Sequence, residues 1–213
     1  MDATGHDKSP STHLTLPRLS DVYPVPRKVR AFGKALDPHL LQPGDLILTS
    51  SSKPTLFGNL IVKHQSNMFA PEHAKWQHAV VSGGRFEICE ADTSGVKAKL
   101  YWDYMTGEYE LKVRRLKGAD EATRNRIAYY AATNVGTKYG FMSAINLKGI
   151  LGGDSEWSKP KIRSSGIICS QLYFEACMRA GYLLATVPPE AVCPAHLSTS
   201  TLLEDVPVDW ILV

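Results

Sequence analysis

Much of what this chain could be is excluded by what it lacks. No apolar run reaches the ~18 residues that a membrane-spanning helix needs. The four cysteines, Cys89, Cys169, Cys177 and Cys193, include no C-x-x-C pair and follow no regular spacing, so neither a disulfide framework nor a zinc ribbon is expected. "CPAH" (193–196) is half a metal site by spacing and has no second half, so it reads as a loop. No metal and no cofactor are expected. Charge of one sign is also scarce: 24 Lys plus Arg against 21 Asp plus Glu leave a formal +3. With no basic stripe interleaved with aromatics, nucleic acid is not an expected partner. The densest positive stretch, "KVRRLKG" (112–118), reads as a solvated strand end. The polar N-terminus has no signal-peptide core, which implies a cytoplasmic start, with export by a dedicated secretion system left open.

What is present describes one domain. At 213 residues, 44% hydrophobic and 21% charged, the chain has the composition of an ordinary globular protein with a sizeable core. Residues 1–28, with Pro10, Pro17, Pro24 and Pro26 among Ser, Thr and Lys, read as a poorly ordered N-terminal arm, and 29–213 as a single catalytic domain. "LLQPGDLILTSS" (40–51) gives a Pro-Gly turn and a strand. A short helix is expected at 56–67, and "WQHAVVSGGRFEICEAD" (76–92) is a hairpin signal around Gly83-Gly84. "GVKAKLYWDYM" and "EYELKVRRL" add strands. "DEATRNRIAYYAATNVG" (120–136) predicts a helix capped by Asp120 and stopped by Gly136, and a second helix carries Cys169. "VPVDWILV" (206–213) closes as a strand. Strands in one block with helices around them predict an α+β fold, its sheet mainly antiparallel.

The chemistry centres on "SSGIICSQLYFEACMRAG" (164–181), which brings Cys169 into the first turn of a helix. Partial positive charge on the free N–H groups favours a thiolate there, and the same groups can hold an oxyanion. A first-turn cysteine is by itself more often a small buried hydrophobe. A nucleophile also needs a base, and His78 is the one of seven histidines that lies inside an apolar strand, "QHAVV". The neighbouring strand, "ICEAD", sets Glu90 and Asp92 among apolar residues, where a carboxylate is expensive unless paired. If Gly83-Gly84 is a two-residue turn, His78 faces Cys89 and Glu90 points to the other face. If the loop is Gly83-Gly84-Arg85, His78 faces Glu90. The catalytic reading selects the second.

The order His78, Glu90, Cys169 resembles the circularly permuted branch of the NlpC and papain-like superfamily, which includes relatives of lecithin:retinol acyltransferase. The matching pieces are "PGDLIL", "WQHAVV", "ICEADTSGVKAKLYWDY", "IICSQLYFEACMRAGY" and the closing "PAHLSTSTLLEDV", spread over about residues 40–206. The resemblance implies a permuted papain-like fold with Cys169 as nucleophile, His78 as base and Glu90 orienting the imidazole. It also implies a cysteine hydrolase or acyltransferase working through a thioester.

Two substrates compete: fatty-acyl bonds of membrane lipids, as for a phospholipase, and peptidoglycan amides cut by a thiol amidase or endopeptidase of the NlpC type. A non-catalytic binding module on the same fold is the third reading. Residues 137–163, apolar around Tyr139–Leu151 and bearing glycines and lysines, read either as a core-covering helix or as a lid making transient membrane contact, and the lid favours the lipid. An exported bacterial effector toxin would fit, and it would need an immunity protein as partner in its producer.

Overall fold

The computed structural model describes residues 18–138 and 167–213. Among them, β2 (Leu46–Ser51), β3 (His78–Gly84), β4 (Glu87–Asp92), β5 (Gly95–Leu100), β6 (Tyr109–Leu116) and β7 (Leu203–Val206) form one sheet in the order β5-β4-β3-β2-β6-β7. Every neighbouring pair is antiparallel. A separate two-stranded sheet joins β1 (Lys34–Leu36) to β8 (Trp210–Leu212). The α+β class with a mainly antiparallel sheet is therefore as expected.

The large sheet is buried on both faces, which explains why β2 opens with the unbroken run Leu46-Ile47-Leu48 rather than alternating with polar residues. Leu46, Leu48, Ala79, Val81, Cys89 and Ala91 pack under α5 (Glu121–Thr133) and α6 (Cys169–Arg179). Ile47, Val80, Ile88 and Val113 face a second core built from Tyr101, Trp102, Tyr104 and Met105. Each large apolar side chain buried this way contributes about 1.5–3 kcal/mol.

α1 (Leu19–Val22) and α2 (Arg27–Phe32) belong to that second core, where Leu19, Val25 and Val29 are buried. The expected poorly ordered arm over 1–28 is thus corrected for residues 18–28, which dock on the body through those apolar contacts. "KVRRLKG" is corrected too. Arg114 is 7% exposed and its guanidinium donates to the carbonyls of Leu197, Ser198, Ser200 and Leu203, besides Asp205. Arg115 grips the fully buried Asp45 with two hydrogen bonds of 2.8 Å. These cations hold loops together rather than meeting solvent.

Other expectations come out as drawn. Asp120 Oδ1 accepts the Thr123 N–H at 2.7 Å to cap α5, and Gly136 takes φ 90° just past its end. α3 (Leu56–Gln65) is capped by Thr55. At the Pro-Gly turn Gly44 has φ 79°, and a Cβ there would lie 2.6 Å from the Arg124 carbonyl oxygen, so only glycine fits.

The hairpin differs from both loops considered. β3 runs through the two glycines to Gly84, the tip is Arg85-Phe86, and a bulge intervenes between Ser82 and Gly84. Val80 lies opposite Glu90, so His78 is one diagonal step from Glu90 and on the same face. The bulge supplies the extra residue that the sequence suggested for the loop.

Candidate active site

α6 begins with Cys169 itself. Its N-cap, Ile168, is extended (φ −92°, ψ 162°) and has no side-chain acceptor to offer, so the first N–H groups of the helix are free to act on the sulfur. Ser170 Oγ donates to the Val192 carbonyl at 2.6 Å and pins this first turn. Leu172, Tyr173, Phe174 and Cys177, all 0% exposed, anchor the helix behind it. On the outer side Tyr130 of α5 donates to Glu175 at 2.7 Å and ties the two helices together.

His78 is the first residue of β3, opposite Thr49 of β2. The residue before it is fixed on both sides of its backbone: Gln77 N–H donates to Thr49, and its side-chain amide bonds the N–H and carbonyl of Ser51. Glu90 projects from one face of the sheet, while Cys169 belongs to the helix layer on the other. His78, where β3 begins, meets both.

Its Nε2 lies 3.0 Å from Glu90 Oε2, and the Cys169 thiol is close enough to the imidazole for each to shift the other's pKa. The three residues expected from sequence thus converge, with His78 hydrogen-bonded to Glu90. Asp92, the other carboxylate considered, is instead engaged with Ser94 and Lys97.

Two further residues were not expected. Glu90 is 2% exposed, and a buried carboxylate with one donor would be poorly satisfied. Lys99 Nζ sits 2.6 Å from Glu90 Oε1, and the Tyr104 hydroxyl donates to Oε2. Lys99 also pairs with Asp103 at 3.0 Å and lies 5.0 Å above the Tyr104 ring. The Tyr104 ring in turn runs within 29° of parallel to the imidazole.

The electrostatics follow. Burial opposes ionisation of Glu90, but hydrogen bonds from His78, Lys99 and Tyr104 hold its pKa down at about 2. Burial also opposes charge on His78, yet the Cys169 sulfur and the Glu90 carboxylate raise it to about 10. For Cys169 burial favours the neutral thiol. The facing imidazolium and the N–H groups of Ala79 and Ser170 outweigh it and lower the thiol pKa. The other three cysteines all shift upward through burial, Cys177 to about 12 and Cys193 to about 11. Cys169 and His78 therefore favour a thiolate–imidazolium pair with a carboxylate behind it.

"CPAH" is not the loop that was expected. Pro194 opens α7 (Pro194–Thr199), with Cys193 as its N-cap and His196 Nδ1 3.0 Å from Cys193 Sγ. His73 Nδ1 contacts Ser198 Oγ at 2.9 Å, while His6 and His13 lie outside the described residues. So does nearly all of the 137–163 segment read as a lid, of which only Thr137 and Lys138 are described. Among the described residues no helix is long and apolar enough to cross a membrane, and no group of three or more His, Cys, Asp or Glu is arranged to hold a metal ion. Compared with known protein families and with curated proteins, the chain matches no family model and no curated sequence.

Proposed function

We propose that this protein is a cysteine acyl hydrolase or acyltransferase with Cys169 as nucleophile, His78 as acid and base, and Glu90 orienting the imidazole. The observation that carries the reading is the convergence of Cys169 at the α6 N-terminus with His78, whose Nε2 lies 3.0 Å from the buried Glu90 carboxylate; the fall of the thiol pKa and the rise of the imidazole pKa agree with it. The thiolate attacks the carbonyl carbon of an acyl donor, forming a carbon–sulfur bond. The pair of electrons displaced to oxygen is held by backbone N–H groups at the α6 N-terminus. His78 gives its proton to the leaving group as the tetrahedral species collapses to a thioester. His78, now neutral, takes a proton from water or another acceptor, whose oxygen attacks the thioester and releases Cys169.

The succession of strand histidine, strand carboxylate and helix-opening cysteine supports a permuted papain-like arrangement. Fatty-acyl bonds of membrane lipids are the substrate class we favour. Hydrolysis of a small soluble thioester, with and without Cys169→Ala, tests the reading. Wild type should turn over and label with a mild thiol probe at Cys169. Turnover that survives Cys169→Ala would overturn it.

A further inference from the structure

The helix beside the site is turned the unusual way round. α3 puts Gly58, Ile61 and Gln65 inside and leaves Leu56 86% and Leu60 40% exposed, one turn apart on its outer face. Met68, just past its end, is 51% exposed. The inward glutamine fixes this rotation. Gln65 is 0% exposed, its Nε2 donates to the carbonyls of Ala74 and Trp76, and its Oε1 accepts the Ala195 N–H, each at 2.8 Å. Turning the leucines inward would break three buried hydrogen bonds, so the apolar outer face is a built feature of the helix.

Along the chain, the charge of this stretch is one-sided. No Asp or Glu occurs between Asp45 and Glu72, whereas Lys53 and Lys63 flank the leucines and Lys75 follows. Lys53 and Lys75 hold exposed ion pairs with Glu108 and Glu110, contacts of the kind that exchange readily for other anions. Lys63 stands on the same outer face as Leu56 and Leu60. Apolar tips with Lys63 beside them match the boundary between acyl chains and anionic headgroups.

The inner side of the same helix packs toward the strand that carries His78. A Cβ at Gly58 would lie 3.3 Å from Gln77 Oε1, and Gln77 immediately precedes His78. We infer that the outer face of α3, centred on Leu56, Leu60 and Lys63, docks the protein on an anionic lipid bilayer, the surface in which its acyl substrate lies. This deepens the acyl-transfer reading and rests on it for the chemistry delivered.

Binding is measured apart from turnover, using full-length protein carrying Cys169→Ala. The protein is sedimented with vesicles of phosphatidylcholine and phosphatidylglycerol, and with pure phosphatidylcholine as control. It should bind the mixed vesicles, more weakly as salt is raised. Adding Leu56→Glu with Leu60→Glu should reduce binding by about tenfold or more, and Lys63→Glu by severalfold. Both leucines are exposed, so the double variant on the wild-type background should keep its far-ultraviolet spectrum and its hydrolysis of a soluble thioester. Protein that ignores mixed vesicles, or binds them equally with and without the leucines, overturns the docking surface. A soluble thioester still cleaved in that case would leave the acyl-transfer reading standing, whereas vesicle binding with no Cys169-dependent turnover would remove that reading and keep the surface.

Discussion

Two cysteines stand at the start of a helix within reach of a histidine, and their surroundings drive them to opposite ends. Cys169 opens an eleven-residue helix and meets His78, whose far nitrogen is held by an ionised Glu90. Cys193 caps a six-residue helix and meets His196, whose Nδ1 also accepts the N–H of Cys193 itself. Among the described residues no carboxylate hydrogen-bonds His196, and its ring packs edge-on against Phe69 at 4.9 Å. Burial then lowers the His196 pKa and raises that of Cys193, so both stay neutral. A thiol beside an imidazole is therefore not enough. The pair separates charge only when an anion stabilises the imidazolium and the imidazole lone pair is not already committed to a backbone donor.

The sharpest way to break this comparison is to exchange the two thiols' roles. Cys169→Ala should reduce thioester turnover by roughly four orders of magnitude or more, and Cys193→Ala should leave it within about twofold. Equal loss in both, measured as kcat/KM, would mean the difference in environment does not matter.

Glu90→Gln comes next. An amide can still accept from His78 but cannot stabilise its charge, so the rate should fall by roughly two to four orders of magnitude. The pH at which Cys169 reacts with iodoacetamide should move up toward the ordinary thiol range.

The pH profile of wild type is a third measure. Below its lowered pKa Cys169 is protonated and loses its nucleophilicity; above about pH 10 His78 is deprotonated and cannot serve the leaving group. Between these limits kcat/KM should form a plateau, its acid limb below the ordinary thiol value. Lys99→Met removes a cation that shares Glu90, so the imidazolium becomes easier to keep and the alkaline limb should move to higher pH. An unmoved limb would make Lys99 a purely structural contact.

The smallest effect is expected at the other pair. Phe69→Glu would set a carboxylate against His196 and should raise its pKa, read by NMR titration, with the Cys193 thiol drawn down in turn. Catalysis should not change.

The sequence revealed the elements through caps and patterns, and Cys169 as the candidate nucleophile through its place in a helix's first turn. Glu90 was legible because a carboxylate among apolar neighbours needs a partner. Lys99 could have been found in the same way. With a Thr93-Ser94 turn, Glu90 pairs with Lys97, and Lys99 falls one diagonal step away on the same face. Tyr104 could not, because it comes from a 3-10 turn (Tyr101–Tyr104) whose direction follows from packing in the second core. The hairpin register was missed because a bulge adds a residue inside a strand without any change in composition. Prolines made residues 18–28 look like a tail, whereas burial of Leu19, Val25 and Val29 decided the matter.

The pairing of β1 with β8 governs when this protein can finish folding on a ribosome. Ala35 and Ile211 are register partners, and the whole six-stranded sheet lies between them in sequence. Such a contact is among the slowest to form, because the loop it closes must be ordered first. Until Trp210–Leu212 leave the exit tunnel, Ala35 and Leu36, both 0% exposed in the finished fold, have no strand to cover them. A nascent chain therefore carries β1 unpaired until β8 has emerged, and Trp210–Leu212 act as the latch.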